Sequence, residues 1–331
     1  MNTAFLDYKT VDPGDLDLSP LRKIAPSLIL HDKTAAGEVN KRIEDAETII
    51  INKIKLDAAT LSQAKKVKLI CLVATGTDNV DLVAAKKQGI TVCNIKNYCT
   101  DSVAQHVVLS MLALSHHFDE YQVSLKQGLW QKSEQFCLLE YPITELSAKT
   151  LGIVGLGVLG TAVAKLAVSF GMRILVAESF RPENSGKKDE QKKPEFKRVP
   201  FQDLAAQSDV ISLHCPLTTE TKGLFDLKAF KTMKKNALLI NTARGGLIND
   251  EALLHALENK LIAGAALDVL DREPPAADHP LLTSGLPNLI VTPHIAWAAK
   301  EARQRSLDAV SYTHLRAHET DSYLVCRLLL E

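Results

Sequence analysis

Short apolar runs alternate with amphipathic segments along most of the chain, the pattern of an α/β protein with parallel sheets. Near the N-terminus, AFLDY (4–8), TIIIN (48–52), LICLVA (69–74) and TVCNI (91–95) predict strands, and segments such as LDAATLSQAKKV from Leu56 predict helices between them. That stretch reads as a small, complete α/β unit. SVAQHVVLSMLALSHHFDEYQVSL (102–125) predicts one long helix, its first half apolar nearly all round and so buried between domains. GLWQKSEQFCLLEYPITELSAK (128–149) is irregular and rich in aromatic and long polar residues, suited to an arm that packs on a second subunit. A second α/β unit follows, with strands predicted at 150–155, 173–178, 209–215, 237–243, 264–269 and 289–294. The charged, proline-containing stretch 180–198 reads as a solvated loop.

Composition changes this picture little. The 331 residues suffice for two domains, and 46% hydrophobic with 24% charged residues is ordinary for a soluble globular protein. A formal net charge of zero provides no global field for nucleic acid or an anionic membrane. MNTAFLDYKT lacks the basic and apolar regions of a signal peptide, and no apolar run approaches a membrane span. The six cysteines are scattered without a CxxC pair, which argues for reduced thiols in a cytoplasmic protein and against a disulfide framework or a metal site.

The chemistry begins at TLGIVGLGVLGTAVAKLAVSFGMRILVAE (150–178), which reads as strand, glycine loop, helix, strand. Gly155 permits the tight turn, Gly157 lets backbone approach a pyrophosphate, and Gly160 allows the helix to pack on the strand. The N–H groups at the helix start, at Val158 and Leu159, suit phosphate. Glu178 ends the next strand, where an acid accepts ribose hydroxyls and repels a 2′-phosphate, favouring NAD over NADP. Arg181 nearby is of the type that accepts that phosphate. Further on, Thr242, Ala243 and Arg244 lie past the C-terminal end of a strand, where open α/β sheets bind ligands. The two glycines after Arg244 let the backbone turn sharply and project its guanidinium, whose fork suits a carboxylate. Asp268 ends another strand, Glu273 lies beyond it, and His294 ends the next in LIVTPHIAWAA. An arginine, an acid and a histidine after strands of one sheet amount to an anion clamp, an orienting carboxylate and a general acid–base. No G-x-S-x-G elbow is present, so a serine hydrolase is excluded.

Over about residues 4–308 the chain resembles the D-isomer-specific 2-hydroxyacid dehydrogenases, in particular their bacterial glycerate dehydrogenase (hydroxypyruvate reductase) branch. The resemblance rests on VGLGVLG, HCPLTTET, LLINTARGG, GAALDV and VTPHIAW, with the spacing of Arg244, Glu273 and His294. It implies that Arg244 binds the substrate carboxylate, that His294 gives and takes the proton at the carbonyl oxygen, and that Glu273 keeps His294 basic. It places Asp268 on the nicotinamide side, His214, Cys215 and Pro216 on the adenine or ribose side, and Thr221, Thr242, Ala243, His294 and Ala296 among the cofactor contacts. It assigns Ala74, Thr75 and Gly76, with Lys53 and Trp297, to the substrate. Gln105 departs from the family, which often carries glutamate there.

The expected fold is a Rossmann-type NAD-binding domain (101–290) inserted into a flavodoxin-like substrate domain (1–100, resuming at 291–308), with the active site in the cleft between them. The expected reaction interconverts a small 2-oxo acid, hydroxypyruvate or glyoxylate, with D-glycerate or glycolate, in a cytoplasmic homodimer. The same chemistry on phosphoglycerate, or an NAD-sensing corepressor, are the alternatives. Residues 309–331 break with the rest: SYTHLRAHE and LVCRLLLE are spelled by a transposase-library sequencing adapter read in frame. They are expected to be an artefact that replaces the family's return helix and leaves part of an apolar face uncovered.

Overall fold

The computed structural model describes residues 2–180 and 196–315. Arg181 and most of the adapter-like tail lie outside the described residues. The chain divides into two compact units, one of Met1–Cys99 with Trp297–Glu331, the other of Thr100–Ala296.

The first unit holds a five-stranded sheet of β1 (Thr3–Phe5), β2 (Leu28–Leu30), β3 (Thr48–Ile51), β4 (Leu69–Leu72) and β5 (Thr91–Cys93). Every pairing is parallel and the order is β2-β1-β3-β4-β5, the flavodoxin-like order. All residues of β3 and β4 are buried, as expected of a parallel sheet covered on both faces. Ile49, Ile51, Ile70 and Leu72 join Leu6, Ile43, Leu56 and Leu61 in one core. The short edge strand β2 was not anticipated. At three residues, with the middle one exposed, it is too short to show a periodicity.

The second unit holds β6 (Thr150–Val154), β7 (Arg173–Ala177), β8 (Lys197–Val199), β9 (Val210–Leu213), β10 (Leu238–Asn241), β11 (Gly264–Leu267) and β12 (Leu289–Val291). They form one parallel sheet in the order β12-β11-β10-β9-β6-β7-β8. Counted from β6 this is the dinucleotide-binding order with a seventh strand added beside the sixth. β8 lies at the end of the stretch expected to be loop throughout. Its sequence, KRV, is that of a charged edge strand, which blunts an exposed row of backbone groups.

The single helix expected over 102–125 is two helices, Thr100–Ser115 and Phe118–Lys126. They break at His117, which adopts a left-handed φ of 49°. The first helix is not buried all round. Ala104, Val107, Met111 and Leu114 pack within the second unit against Leu151, Ile153, Val163, Ala164 and Ala167, while Leu109 is 62% exposed. After Phe118–Lys126, one 3-10 turn at Trp130–Lys132 is the only regular element before β6.

In the first unit, helix Lys300–Ala309 continues into a π-helical turn, Val310–Leu315. Val310 and Leu315 are fully buried and Ser311 Oγ donates to Leu307 O at 2.9 Å, so the first residues of the adapter-like tail cover apolar surface.

Candidate active site

The sheet of the second unit reverses its winding between β6 and β9, so a crevice opens beyond their C-terminal ends. Gly155, at the end of β6, has φ +99°, and a Cβ there would sit 2.6 Å from Cys215 N and 2.7 Å from His214 C. Only glycine lets this turn lie against the segment after β9. Gly157 has open space where a Cβ would be, leaving the start of helix Val158–Ser169 approachable, and no acidic residue stands in its first turn. A Cβ at Gly160 would strike Gly155 O and crowd Ile153. Gly155 and Gly160 thus make the tight turn and the close helix packing expected of them, Gly157 leaves the helix start open, and the N–H groups of Val158 and Leu159 begin a helix whose dipole favours an anion.

Around this turn the polar groups divide into those the chain satisfies and those it does not. Thr221 is satisfied: its Oγ1 donates to Pro216 O at 2.7 Å and accepts from Thr218 N at 2.8 Å, which shapes the turn after β9. Burial pushes the Cys215 thiol up to about 11, so it is an inert core thiol. His214 shares a hydrogen bond between Nε2 and Ser212 Oγ at 2.9 Å. Its Nδ1 is buried without a partner, and burial pushes the ring down to about 4, keeping it neutral. Thr242 Oγ1, past β10, is likewise buried and unpartnered. Glu178, past β7, is exposed, its amide held by Val199 O at 2.9 Å. An open glycine turn, two orphaned polar atoms and an exposed carboxylate along one edge fit a bound dinucleotide.

The same edge carries the charged groups. Fully buried Asn241 ends β10; its Nδ2 donates to Arg244 O at 2.8 Å and its Oδ1 accepts from Ala243 N at 3.0 Å. This brace fixes the turn that carries Arg244, whose Nη1 donates to Ala243 O at 2.8 Å. The glycines that follow serve a different purpose from the one expected. Neither has a left-handed φ; instead the backbone of Leu270 and Asp271 lies where a Cβ of Gly245 would be. Glycine permits the loop after β11 to touch the loop after β10.

That second loop presents Glu273. One carboxylate oxygen accepts from Leu270 N at 3.0 Å, and the other meets His294 Nδ1 at 2.5 Å. Both side chains are about one-third exposed. The Nδ1 contact fixes the ring, so a proton exchanged with a reactant would pass through Nε2. His294 itself has φ 56°, a left-handed conformation that costs a non-glycine residue roughly 1–2 kcal/mol. Asp268 holds it there. Its buried carboxylate accepts from Thr292 Oγ1 at 2.5 Å, Ile295 N at 2.8 Å and Ala296 N at 2.8 Å, so it grips the chain on both sides of His294. His106 Nε2 supports Thr292 Oγ1 at 3.1 Å, and Ser102 Oγ donates to Ala296 O at 2.6 Å. The grip explains why the second unit extends to Ala296, beyond the boundary of 290 expected from the sequence.

Asp268→Asn tests this grip, because an amide nitrogen cannot accept from the donors it would face. Leaving one buried donor unpaired is expected to cost about 1–3 kcal/mol and to lower both Tm and kcat. A variant that melts and turns over like the parent would show that the carboxylate is dispensable.

In the first unit, the residues expected to meet substrate lie past β3 and β4. Buried Asp7 accepts from Asn52 N at 2.9 Å, Lys53 N at 2.6 Å and Ile54 N at 3.2 Å. Burial pushes its carboxyl up, while those amides oppose the rise. Asn79 Nδ2 donates to Asn52 O and Ile54 O at 3.3 and 2.8 Å, which joins the Lys53 turn to the Ala74–Gly76 loop. Thr75 Oγ1 donates to Ile95 O at 2.8 Å. Trp297 packs edge-on against Tyr98, ring centroids 6.4 Å apart. Asn241 and Thr292 lie inside LLINTARGG and VTPHIAW, whereas nothing in the sequence singles out Asp7 or Asn79 for this bracing. Among the described residues no group of three or more His, Cys, Asp or Glu is arranged to hold a metal ion.

Comparison with known proteins agrees with this geometry. Residues 108–296 match the family described as D-isomer specific 2-hydroxyacid dehydrogenase, NAD binding domain. The glycerate dehydrogenase of Methylorubrum extorquens is 46% identical over 267 residues, covering 81% of each chain. The hydroxypyruvate reductase of Blautia hydrogenotrophica is 36% identical over 311 residues, covering 93% of this chain and 94% of the relative. The D-lactate dehydrogenase of Aquifex aeolicus, solved with NAD and lactic acid, superposes with a TM-score of 0.80 at 28% identity, over 97% of this chain and 96% of that one.

Proposed function

The chain belongs to the D-isomer specific 2-hydroxyacid dehydrogenase family, an NAD-binding family of oxidoreductases, and we propose that it reduces a small unphosphorylated 2-oxo acid, hydroxypyruvate or glyoxylate, to the D-2-hydroxy acid. The observation that carries the reading is the pairing of His294 Nδ1 with Glu273 at 2.5 Å on the edge that also bears Arg244 and the glycine turn. The dinucleotide, when bound, supplies the hydride that reaches C2 of the acid. His294 Nε2 donates the proton to the carbonyl oxygen during reduction and removes it during oxidation. Glu273 fixes the ring and balances the positive charge it carries while it holds that proton. Arg244 pairs with the substrate carboxylate through its planar fork. Gly155, Gly157, Val158, Leu159 and Gly160 cradle the pyrophosphate, with Glu178, His214, Cys215, Pro216, Thr221, Thr242, Ala243, Asp268 and Ala296 around the rest of the cofactor.

The test is oxidation of NADH and NADPH against a panel of hydroxypyruvate, glyoxylate, pyruvate and phosphohydroxypyruvate. The expected result is turnover of the first two with NADH preferred, because Glu178 meets a 2′-phosphate with like charge. Glu178→Ala is expected to narrow the gap between the cofactors. Equal use of both by the parent would overturn the role of Glu178, and preference for the phosphorylated acid would overturn the substrate.

We further propose a cytoplasmic homodimer. Support comes from Phe136 and Leu139, which are 91% and 78% exposed, and from Phe118, Val123, Trp130 and Ile143, which also show large apolar surface along one stretch of chain. Among the described residues no helix is long and apolar enough to cross a membrane. Light scattering at micromolar concentration is expected to report twice the chain mass; a clean monomer would remove the assembly.

A further inference from the structure

The loop that carries Glu273 ends in a pair of side chains that proton transfer does not use. His279 is 13% exposed, and its Nε2 faces Asp250 Oδ2 at 3.3 Å. Its other ring nitrogen, Nδ1, is buried and has no hydrogen-bond partner. Asp250 is the first residue of helix Asp250–Glu258, which follows the Arg244 turn after a single 3-10 turn, Gly245–Leu247. Burial pushes its carboxyl up; His279 opposes that rise and neighbouring Asp271 adds to it.

The position of this pair matters because the same two loops already meet elsewhere. At Gly245 the backbone of Leu270 and Asp271 leaves no room for a Cβ, and a Cβ at Gly246 would lie 3.0 Å from Asp271 Oδ1. That contact pins the start of the Leu270–His279 stretch to the Arg244 turn. The His279–Asp250 pair pins its end to the helix that follows. Glu273 lies between the two fastenings. Packing alone does not account for a histidine here. A buried ring nitrogen without a partner costs about 1–3 kcal/mol, and a leucine of similar size would fill the space without it.

We propose that His279 and Asp250 are positioning residues for the dehydrogenase reaction: they hold the Glu273 loop against the helix after Arg244 and so set where the Glu273 carboxylate meets His294. The inference rests on the reading of Glu273 and His294 as the proton-transfer pair.

A double-mutant cycle tests it, with kcat and KM measured for NADH and hydroxypyruvate on the parent, His279→Leu, Glu273→Gln and the double variant. His279→Leu is expected to lower kcat about tenfold while KM for NADH stays unchanged. In the Glu273→Gln background the same substitution is expected to change kcat less than about twofold, because the geometry it maintained no longer matters. Equal losses in both backgrounds would make the pair merely structural and overturn the proposal, as would an unchanged kcat in the parent background. Parent-like turnover by Glu273→Gln alone would overturn the acid–base reading and the pair's role with it, so the two failures are distinct. Should His279→Leu not fold, Asp250→Asn runs through the same cycle, with Asp250→Glu expected to restore kcat and failure to restore it counting against the pair.

Discussion

Replacing His294 with glutamine is expected to lower kcat for the 2-oxo acid by about two to four orders of magnitude, the loss typical of a missing general acid. Glutamine keeps a hydrogen-bonding group near the substrate but has no proton to give at neutral pH. NADH affinity, read by fluorescence titration, is expected to stay within about twofold, since the glycine turn and helix start that suit the pyrophosphate are untouched. The backbone complicates the experiment, because residue 294 sits at φ 56°. Asparagine tolerates that region better than glutamine does, so His294→Asn separates strain from chemistry. The same loss in both variants would assign the effect to the proton. Near-normal turnover by either would remove His294 from the mechanism.

Arg244→Lys is expected to act on the acid rather than on the cofactor. Hydrogen bonds to charged groups contribute about 1.5–3 kcal/mol, and a compact ammonium cannot make the parallel pair that a guanidinium offers a carboxylate. A loss near 3 kcal/mol corresponds to roughly 100-fold in kcat/KM, expected mainly as a raised KM for the 2-oxo acid. Because Asn241 braces the turn through the backbone of residues 243 and 244, the substitution leaves that turn in place. Unchanged saturation by the acid would refute the clamp.

How much of this was legible in the sequence follows from which physical signals a linear pattern carries. Strands β3, β4, β9, β10 and β11 are buried along their whole length and appear as mostly apolar runs. Strands β2 and β8 lie at sheet edges and are three residues long, so one vanishes into its surroundings and the other looks like charged loop. The break at His117 was hidden because neither glycine nor proline marks it. At the site, the turn at Gly155, the open backbone at Gly157 and the close packing at Gly160 are encoded by their spacing. The reason for Gly245 is not, since it depends on a loop from another strand passing against it. Asp268 could be placed at a strand end, but its grip on Thr292, Ile295 and Ala296 depends on how a distant turn presents its donors.

The split of the first unit across the chain bears on how the protein is made. All five strands of its sheet are complete by Cys93, and each pairs only with others already synthesised. Helix Lys300–Ala309, whose Ala302 and Leu307 are buried, arrives about 200 residues later, roughly 10–40 s at ordinary ribosomal rates. A sheet that formed during that interval would lack the apolar cover that Ala302 and Leu307 provide. Meanwhile β6 cannot take its central neighbour until β9 emerges, so the two halves mature on staggered clocks. Slow codons or a bound chaperone between Cys93 and Lys300 would act on that open surface.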